Sequence, residues 1–177
     1  MMRIKKLLRQ VGHLIAKPVH HEQENVVSRR RKKCSQLFIL FQGIGDRLMM
    51  DTTQFLAQTD LFSRNIIMLR DPHKVFFRQG VSSEIQSFGQ LVEWLADYRD
   101  SLPHIEEVHC FGTSMGAYAA VLAGAMLKAD SVIAMGLMTK IDETLLAQRN
   151  ELFNKIEIPE VEGDLKKYLE KHNGHTQ

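Results

Sequence analysis

Residues 108–126 constrain the fold of this chain more than any other stretch, because they predict a strand, a tight turn and a helix in immediate succession. An apolar run ends at Phe111, and an alanine-rich segment with apolar side chains at helical spacing follows the turn. The turn itself reads Gly-Thr-Ser-Met-Gly at 112–116, which is the pattern G-x-S-x-G. In such a setting the serine lies on a strained turn clear of the sheet, and the glycines let strand and helix pass closely. Ser114 is therefore the first candidate for a nucleophile.

The rest of the chain alternates apolar runs with helical patterns. Apolar runs predict strands at 37–41, 65–70, 108–111 and 131–135, and helical spacing predicts helices at 47–61, 87–101 and after the serine turn. This alternation predicts an α/β fold with a mostly parallel sheet and helices on both faces. Residues 71–87 are expected to form a long surface loop, and two further helices are expected at 142–154 and 164–172.

Basic residues are concentrated at the N-terminus, so we divide the chain into a basic arm at 1–35 and one domain at 36–177. The arm holds ten Lys or Arg against two Glu, which leaves a formal charge of −6 for the domain. Residues 1–17 have apolar side chains at helical spacing with basic residues off that stripe, which predicts an amphipathic helix. Such a helix packs on its own domain or a second copy, or makes peripheral contact with an anionic membrane. Residues 19–36 are expected to be a solvated basic linker.

Several classes of function have no support in the sequence. The basic run at 29–33 contains no aromatic residues that could stack on bases, which argues against nucleic acid as a partner. Neither Cys34 nor Cys110 has metal-ligand spacing, and we predict no metal site and no cofactor. A nucleotide-binding loop after the first strand would need a third glycine at position 48, which is leucine. No apolar run approaches the roughly 20 residues of a membrane span, and cytoplasmic residence is expected.

From about residue 37 to residue 138, the succession of elements resembles that of the α/β-hydrolase superfamily. In that family one strand leads into an oxyanion loop, here residues 42–45, and a later strand leads into the nucleophile turn. The resemblance implies that Ser114 is the nucleophile and that the backbone N–H groups of Ile44 and Met115 form the oxyanion hole. It also implies a serine esterase or acyl hydrolase that acts on a small ester or thioester.

The catalytic acid and base of the family normally follow two later strands, and the sequence has no apolar runs for them. The chain thus resembles a hydrolase shortened at its C-terminal end. Asp142 is the acid candidate because it follows the strand at 131–135 by a few residues. His175 is the base candidate, with His172 and His73 as alternatives, whereas His109 is expected to be packed or hydrogen-bonded within its strand.

An alternative interpretation is a catalytically inactive hydrolase-like domain that serves as a binding or oligomerisation module. A sheet without its last strands exposes an apolar edge, which favours association, including a homo-oligomer. Arg70 and Asp71 belong at the carboxyl edge of the sheet, where α/β proteins bind ligands. We expect these two residues to pair with each other, or to contact a substrate carboxylate.

Overall fold

The computed structural model describes residues 25–141 and 164–173, which contain a five-stranded sheet and its helices. The strands are β1 (Val26–Arg29), β2 (Gln36–Phe41), β3 (Asn65–Leu69), β4 (Glu107–Thr113) and β5 (Ser131–Met135). The helices are α1 (Thr52–Gln58), α2 (Phe88–Asp100), α3 (Met115–Leu127) and α4 (Leu165–Asn173), and a 3₁₀ turn occupies Leu61–Ser63. The helices predicted at 1–17 and 142–154 lie outside the described residues.

Strand order in the sheet is β1-β3-β2-β4-β5. Strands β2 to β5 are parallel to one another, and β1 runs antiparallel to β3. The carboxyl ends of β2, β3, β4 and β5 therefore meet at one edge, where the segments that follow each strand can form a site. The prediction of an α/β fold with a mostly parallel sheet is confirmed.

Alternate side chains of β2 enter two different apolar cores. Leu37, Ile39 and Phe41 pack in the core that α2 and α3 cover, whereas Leu40 packs in the core that α1 covers. All four side chains are fully buried. A strand buried on both faces needs a continuous apolar run, which explains why this strand was predictable from the sequence. Helices on both faces of the sheet are confirmed as well.

The first strand is a departure from the sequence prediction, since residues 19–36 were expected to be a solvated linker. Val26 is buried in the sheet, and Val26–Arg29 pair antiparallel with β3. The Arg29 guanidinium lies 5.0 Å from the centre of the Phe62 ring, so even a charged residue of this strand has a packing partner. The linker prediction is wrong for these four residues because an edge strand needs only part of its side chains to be apolar. The sheet therefore begins before residue 36.

Residues 71–87 form a loop, as predicted, but the prediction that this loop lies at the surface is wrong. The buried carboxylate of Asp71 accepts hydrogen bonds from the backbone N–H groups of His73, Val75 and Phe77, at 2.9, 2.6 and 2.8 Å. These bonds satisfy backbone groups inside the loop, which allows Phe76 and Phe77 to be buried. Burial raises the pKa of the Asp71 carboxyl, although the three N–H donors act in the opposite direction.

Helix bounds differ from the predictions mainly between β2 and β3. A helix was expected at 47–61, but α1 covers only Thr52–Gln58, with Asp51 as its N-cap. Asp46 and Met49 have φ angles of 55° and 68°, which are incompatible with a helix in this segment. Among the described residues, the longest helices have 13 residues and none could cross a membrane.

Candidate active site at the serine turn

Ser114 joins β4 to α3 in a backbone conformation that amino acids with a side chain rarely adopt, with φ 52° and ψ −117°. Its N–H group donates to the carbonyl of Met135 at 2.7 Å, and its carbonyl accepts from the N–H of Ala117 at 3.0 Å. The serine is thereby held at the carboxyl ends of two neighbouring parallel strands. A sharp, strained turn from strand to helix at this edge is the geometry that exposes a nucleophilic serine in α/β-hydrolase sheets.

The hydroxyl of Ser114 makes no capping bond, although the residue occupies the N-cap position of α3. By contrast, the Asp51 carboxylate accepts from the Gln54 N–H, and the Ser87 hydroxyl accepts from the Gln90 N–H, at the starts of α1 and α2. A serine in this position ordinarily accepts a bond from the first turn of its helix. The half-buried Ser114 hydroxyl is therefore not used to stabilise the helix that it precedes.

Two glycines flank the serine because strand, turn and helix approach too closely for a side chain. A Cβ atom at Gly112 would lie 2.1 Å from the carbonyl oxygen of Gly116, and a Cβ atom at Gly116 would lie 2.2 Å from that of Phe41. Both distances are much shorter than a van der Waals contact. The G-x-S-x-G pattern thus has a packing reason in this chain, and the reason involves the neighbouring strand β2 as well as the turn.

The loop after β2 lies against the serine turn. A Cβ atom at Gly43 would be 3.6 Å from the Ser114 Cβ, and the Thr113 hydroxyl donates to the Arg47 carbonyl at 3.1 Å. Within the part of the chain that the structure describes, the backbone N–H groups of Ile44 and Met115 donate to no protein oxygen. Met115 begins α3, so its N–H belongs to the positive end of a helix. The two N–H groups predicted for the oxyanion hole thus belong to neighbouring segments.

The predicted acid Asp142 and the predicted base His175 lie outside the described residues, as does the side chain of His172. His73 is exposed after β3. Over residues 25–141 and 164–171, no hydrogen bond joins the Ser114 hydroxyl to an imidazole or a carboxylate. The described segments thus supply the serine and its backbone neighbours, and the acid and base stay predictions.

His109 lies on β4 but far from the serine. Its imidazole contacts the Ser131 hydroxyl at 2.9 Å and the Glu107 carboxylate at 3.2 Å. Ser114 lies five positions farther along the chain, which is roughly 17 Å at about 3.3 Å per residue of extended strand. As the sequence predicted, this histidine is hydrogen-bonded within the sheet.

The expected pairing of Arg70 with Asp71 is wrong. The Arg70 guanidinium lies 3.7 Å from the carboxylate of Asp46, and the Lys74 ammonium pairs with the same carboxylate. Asp71 instead turns into the protein, because neighbouring residues of an extended chain point in opposite directions. Sequence reasoning missed Asp46 as the residue that links the loops after β2 and β3, and its position directly after Gly45 was the available signal.

An apolar hollow of about 380 Å³ lies beside α3. Its apolar lining includes Val121, Leu137, Leu165 and Leu169. Gly136 directly precedes the lining residue Leu137, and a Cβ atom at Gly136 would lie 3.8 Å from the backbone nitrogen of Ser114. The sequence did not predict this hollow, because α4 is about 50 residues away in the chain. Among the described residues, no group of His, Cys, Asp and Glu side chains could hold a metal ion.

No protein-family profile matches the chain, and no curated protein matches it in sequence. Among solved structures, a carboxylesterase of the thaumarchaeon Nitrososphaera gargenis matches with a TM-score of 0.49 and 16% identity, over 75% of this chain and 50% of that one. A carboxylesterase from Bacillus subtilis matches with a TM-score of 0.47 and 16% identity, over 85% of this chain and 55% of that one.

A third solved structure is an α/β hydrolase enzyme from a Medee basin deep-sea metagenome library. It matches with a TM-score of 0.46 and 22% identity, over 73% of this chain and 49% of that one. The chain spans about half the length of each of these three proteins.

Proposed function

We propose that this protein is a serine esterase or related acyl hydrolase in which Ser114 is the nucleophile. The observation that carries the proposal is the strained backbone of Ser114, at the junction of β4 and α3, with a hydroxyl that takes no part in capping the helix. Backbone strain of this kind clusters at functional sites, where the surrounding structure maintains it. The predicted location of the reaction is the cytoplasm.

In the proposed reaction, the Ser114 oxygen attacks the carbonyl carbon of an ester or thioester while a base takes the hydroxyl proton. The tetrahedral intermediate then expels the alcohol or thiol, which receives that proton, and water releases the acid from the acyl-serine in a second cycle of the same steps. Asp142 and His175 are the proposed acid and base. We expect a small acyl group, which the apolar hollow next to α3 could accommodate.

Negative charge on the carbonyl oxygen would be stabilised by the N–H groups of Met115 and Ile44. The start of α3 adds the positive end of a helix of 13 residues. The removal of one such donor typically slows acyl transfer about 10²–10³ fold. Since both proposed donors are backbone groups, their contribution depends on the conformation of the turn and of residues 42–45.

Labelling by a fluorophosphonate probe tests the proposal directly, because this probe forms a covalent bond with an activated serine only. We expect the native chain to be labelled at Ser114, Ser114→Ala to lose the label, and Ser83→Ala to keep it. Ser83 is an exposed loop serine and serves as the matched control. If the folded chain takes no label, or if Ser114→Ala is labelled as strongly as the native chain, the proposal is wrong.

A second candidate function is self-association through β5, which terminates the described sheet. Val132, Ile133 and Met135 on this strand are 38%, 55% and 39% exposed, and β5 carries no charge that would discourage edge pairing. We propose a second copy of the chain as the occupant of this edge. Sedimentation should detect a dimer that Ile133→Lys weakens and Val27→Lys, on the opposite edge strand, does not. A monomer at all accessible concentrations would exclude this candidate.

A further inference from the structure

A basic pocket lies at the edge of the sheet opposite to the serine turn. It has a volume of about 690 Å³ and is formed by residues 31–36 together with Arg64 and Glu107. Gln36 and Glu107 begin the parallel strands β2 and β4, whereas Ser114 follows the end of β4. The pocket is therefore separated from the proposed catalytic site by the length of a strand.

A rigid turn presents the basic residues of this pocket. The Cys34 N–H donates to the Arg31 carbonyl at 3.1 Å, which closes a turn with Lys32 and Lys33 at its tip. The fully buried Asn65 holds the turn from below: its Oδ1 accepts from the Arg31 N–H at 2.6 Å, and its Nδ2 donates to the Cys34 carbonyl at 2.7 Å. The turn is thus anchored to the sheet at both ends, and little conformational freedom remains to be lost when a ligand binds.

Cations exceed anions in this pocket. Lys32 and Lys33 are exposed, and neither forms an ion pair with any described residue. The Arg31 guanidinium donates to the carbonyl of Phe62 through Nε and Nη2, at 3.2 and 3.0 Å, so its position is fixed while its charge is not neutralised.

The remaining charged side chains leave the pocket with a net positive charge. The Arg64 guanidinium donates to the Gln36 side chain at 2.9 Å and lies 3.8 Å from the exposed carboxylate of Asp60. Glu107 is the single carboxylate among the residues that line the pocket, and it accepts from the Gln36 amide at 2.6 Å. Four cationic side chains thus line the pocket against one anionic side chain.

We propose that this pocket binds a phosphate group, with the Lys32 and Lys33 ammonium groups as its principal ligands and Arg31 and Arg64 as additional positive charge. A phosphate monoester carries up to two negative charges on oxygens that accept several hydrogen bonds, which matches adjacent cations better than a single carboxylate does. The group belongs either to a soluble phosphorylated molecule or to the headgroup of a phospholipid. Binding here is independent of the reaction proposed for Ser114.

Calorimetric titration of the full chain with inorganic pyrophosphate at low salt tests the soluble source. We expect binding that weakens as salt is added and that falls at least about tenfold in the double variant Lys32→Ala/Lys33→Ala. The matched control is Lys167→Ala/Lys171→Ala, which removes the same charge from exposed positions on α4. It should bind pyrophosphate like the native chain.

Co-sedimentation with vesicles of phosphatidylcholine, with and without phosphatidic acid, tests the lipid source. Residues 1–31 are unchanged in every variant, so a difference between the two double variants reports on the pocket. If the Lys32→Ala/Lys33→Ala chain loses binding to pyrophosphate but not to phosphatidic acid, a soluble ligand is supported. If it loses binding to phosphatidic acid but not to pyrophosphate, a lipid headgroup is supported. If both double variants bind both probes equally well, or if the native chain binds neither probe, the proposal is overturned.

Discussion

At the scale of single residues, the conformation of Ser114 depends on a neighbouring glycine, Gly116, which has no side chain. A residue held in this region of backbone space costs of order 1–3 kcal/mol. The surrounding bonds compensate, since the Ser114 N–H donates to the Met135 carbonyl at 2.7 Å and α3 begins one residue later. The close approach of α3 to β2 is possible only because residue 116 has no Cβ atom. The serine turn is therefore as sensitive to its glycines as to the serine.

Substitution of Gly116 by Ala should destabilise the protein strongly. The added Cβ would lie 2.2 Å from the Phe41 carbonyl oxygen and 2.6 Å from that of Gln42, and both are backbone atoms of the central strand region. Because the backbone would have to move, we expect Gly116→Ala to lower the free energy of unfolding by about 3 kcal/mol or more, which is large for a single substitution. Urea denaturation followed by circular dichroism measures it.

Gly45→Ala is the matched control, because no atom lies within 4 Å of a Cβ at that position. Its unfolding free energy should change by about 0.5 kcal/mol or less. Equal effects of the two substitutions would mean that close approach is not what requires glycine at 116.

At the scale of elements, the sequence predicts those whose burial leaves a simple pattern. The apolar runs of β2 and β3 predicted strands that the structure contains, since a strand in the middle of a sheet is apolar on both faces. Strand β1 could not be predicted in this way, because Ser28 and Arg29 lie at an edge and need no burial. The conformation of Ser114 was suggested by G-x-S-x-G, but its φ angle and its bond to Met135 depend on the neighbouring strand.

The loop after β3 was predicted, but its burial was not, because that burial depends on hydrogen bonds from its backbone N–H groups to one carboxylate, that of Asp71. The Asp71 carboxylate accepts from backbone N–H groups up to six residues away, and these bonds satisfy N–H groups in the segment where Phe76 and Phe77 are buried. Nothing in the order of residues distinguishes such an aspartate from one that terminates a strand at the surface. Elements that depend on a specific buried polar group thus leave a weak signal in the sequence.

Asp71→Asn should destabilise the protein by about 1–3 kcal/mol, since an amide oxygen replaces two carboxylate oxygens as acceptor and buried N–H groups lose partners. Because burial raises the pKa of Asp71 above its ordinary value, the folded protein holds this proton more tightly than the unfolded chain does. The contribution of the group to stability is therefore greatest in acid and falls as the pH rises through the raised pKa.

Urea denaturation of both proteins at a series of pH values measures this contribution as a difference. The stability advantage of the native chain over Asp71→Asn should shrink as the pH rises from about 4, by at most about 1.4 kcal/mol per pH unit. Asp97→Asn, at an exposed position on α2, controls for a general effect of charge removal and should produce no such trend. An advantage that grows with pH would show that the N–H donors, and not burial, dominate the carboxyl.

At the scale of the whole molecule, the sheet separates two regions of different chemistry. The carboxyl edge has the strained serine, the N–H groups beside it and the apolar hollow, whereas the opposite edge has the rigid basic turn at 31–34. Both regions depend on the same central strands, because β2 begins at the basic pocket and ends at the loop that contacts Ser114. The stability of β2 and β4 therefore supports both proposed sites, while β1 and β5 lie outside this central pair.

Amide hydrogen exchange should reflect this order. Strand β2 is paired along its length with β3 on one side and β4 on the other, so its amides should exchange only through global unfolding and be the slowest in the chain. Strand β5 is paired with β4 alone within the described sheet, and its side chains are largely exposed, so its outward amides should exchange much faster. Mass spectrometry of peptides from both strands, at low protein concentration, measures the difference.

If a second copy occupies the β5 edge, exchange there should slow as protein concentration rises, and Ile133→Lys should abolish that slowing. Exchange in β5 as slow as in β2 at every concentration would mean that another part of the chain already pairs with this strand.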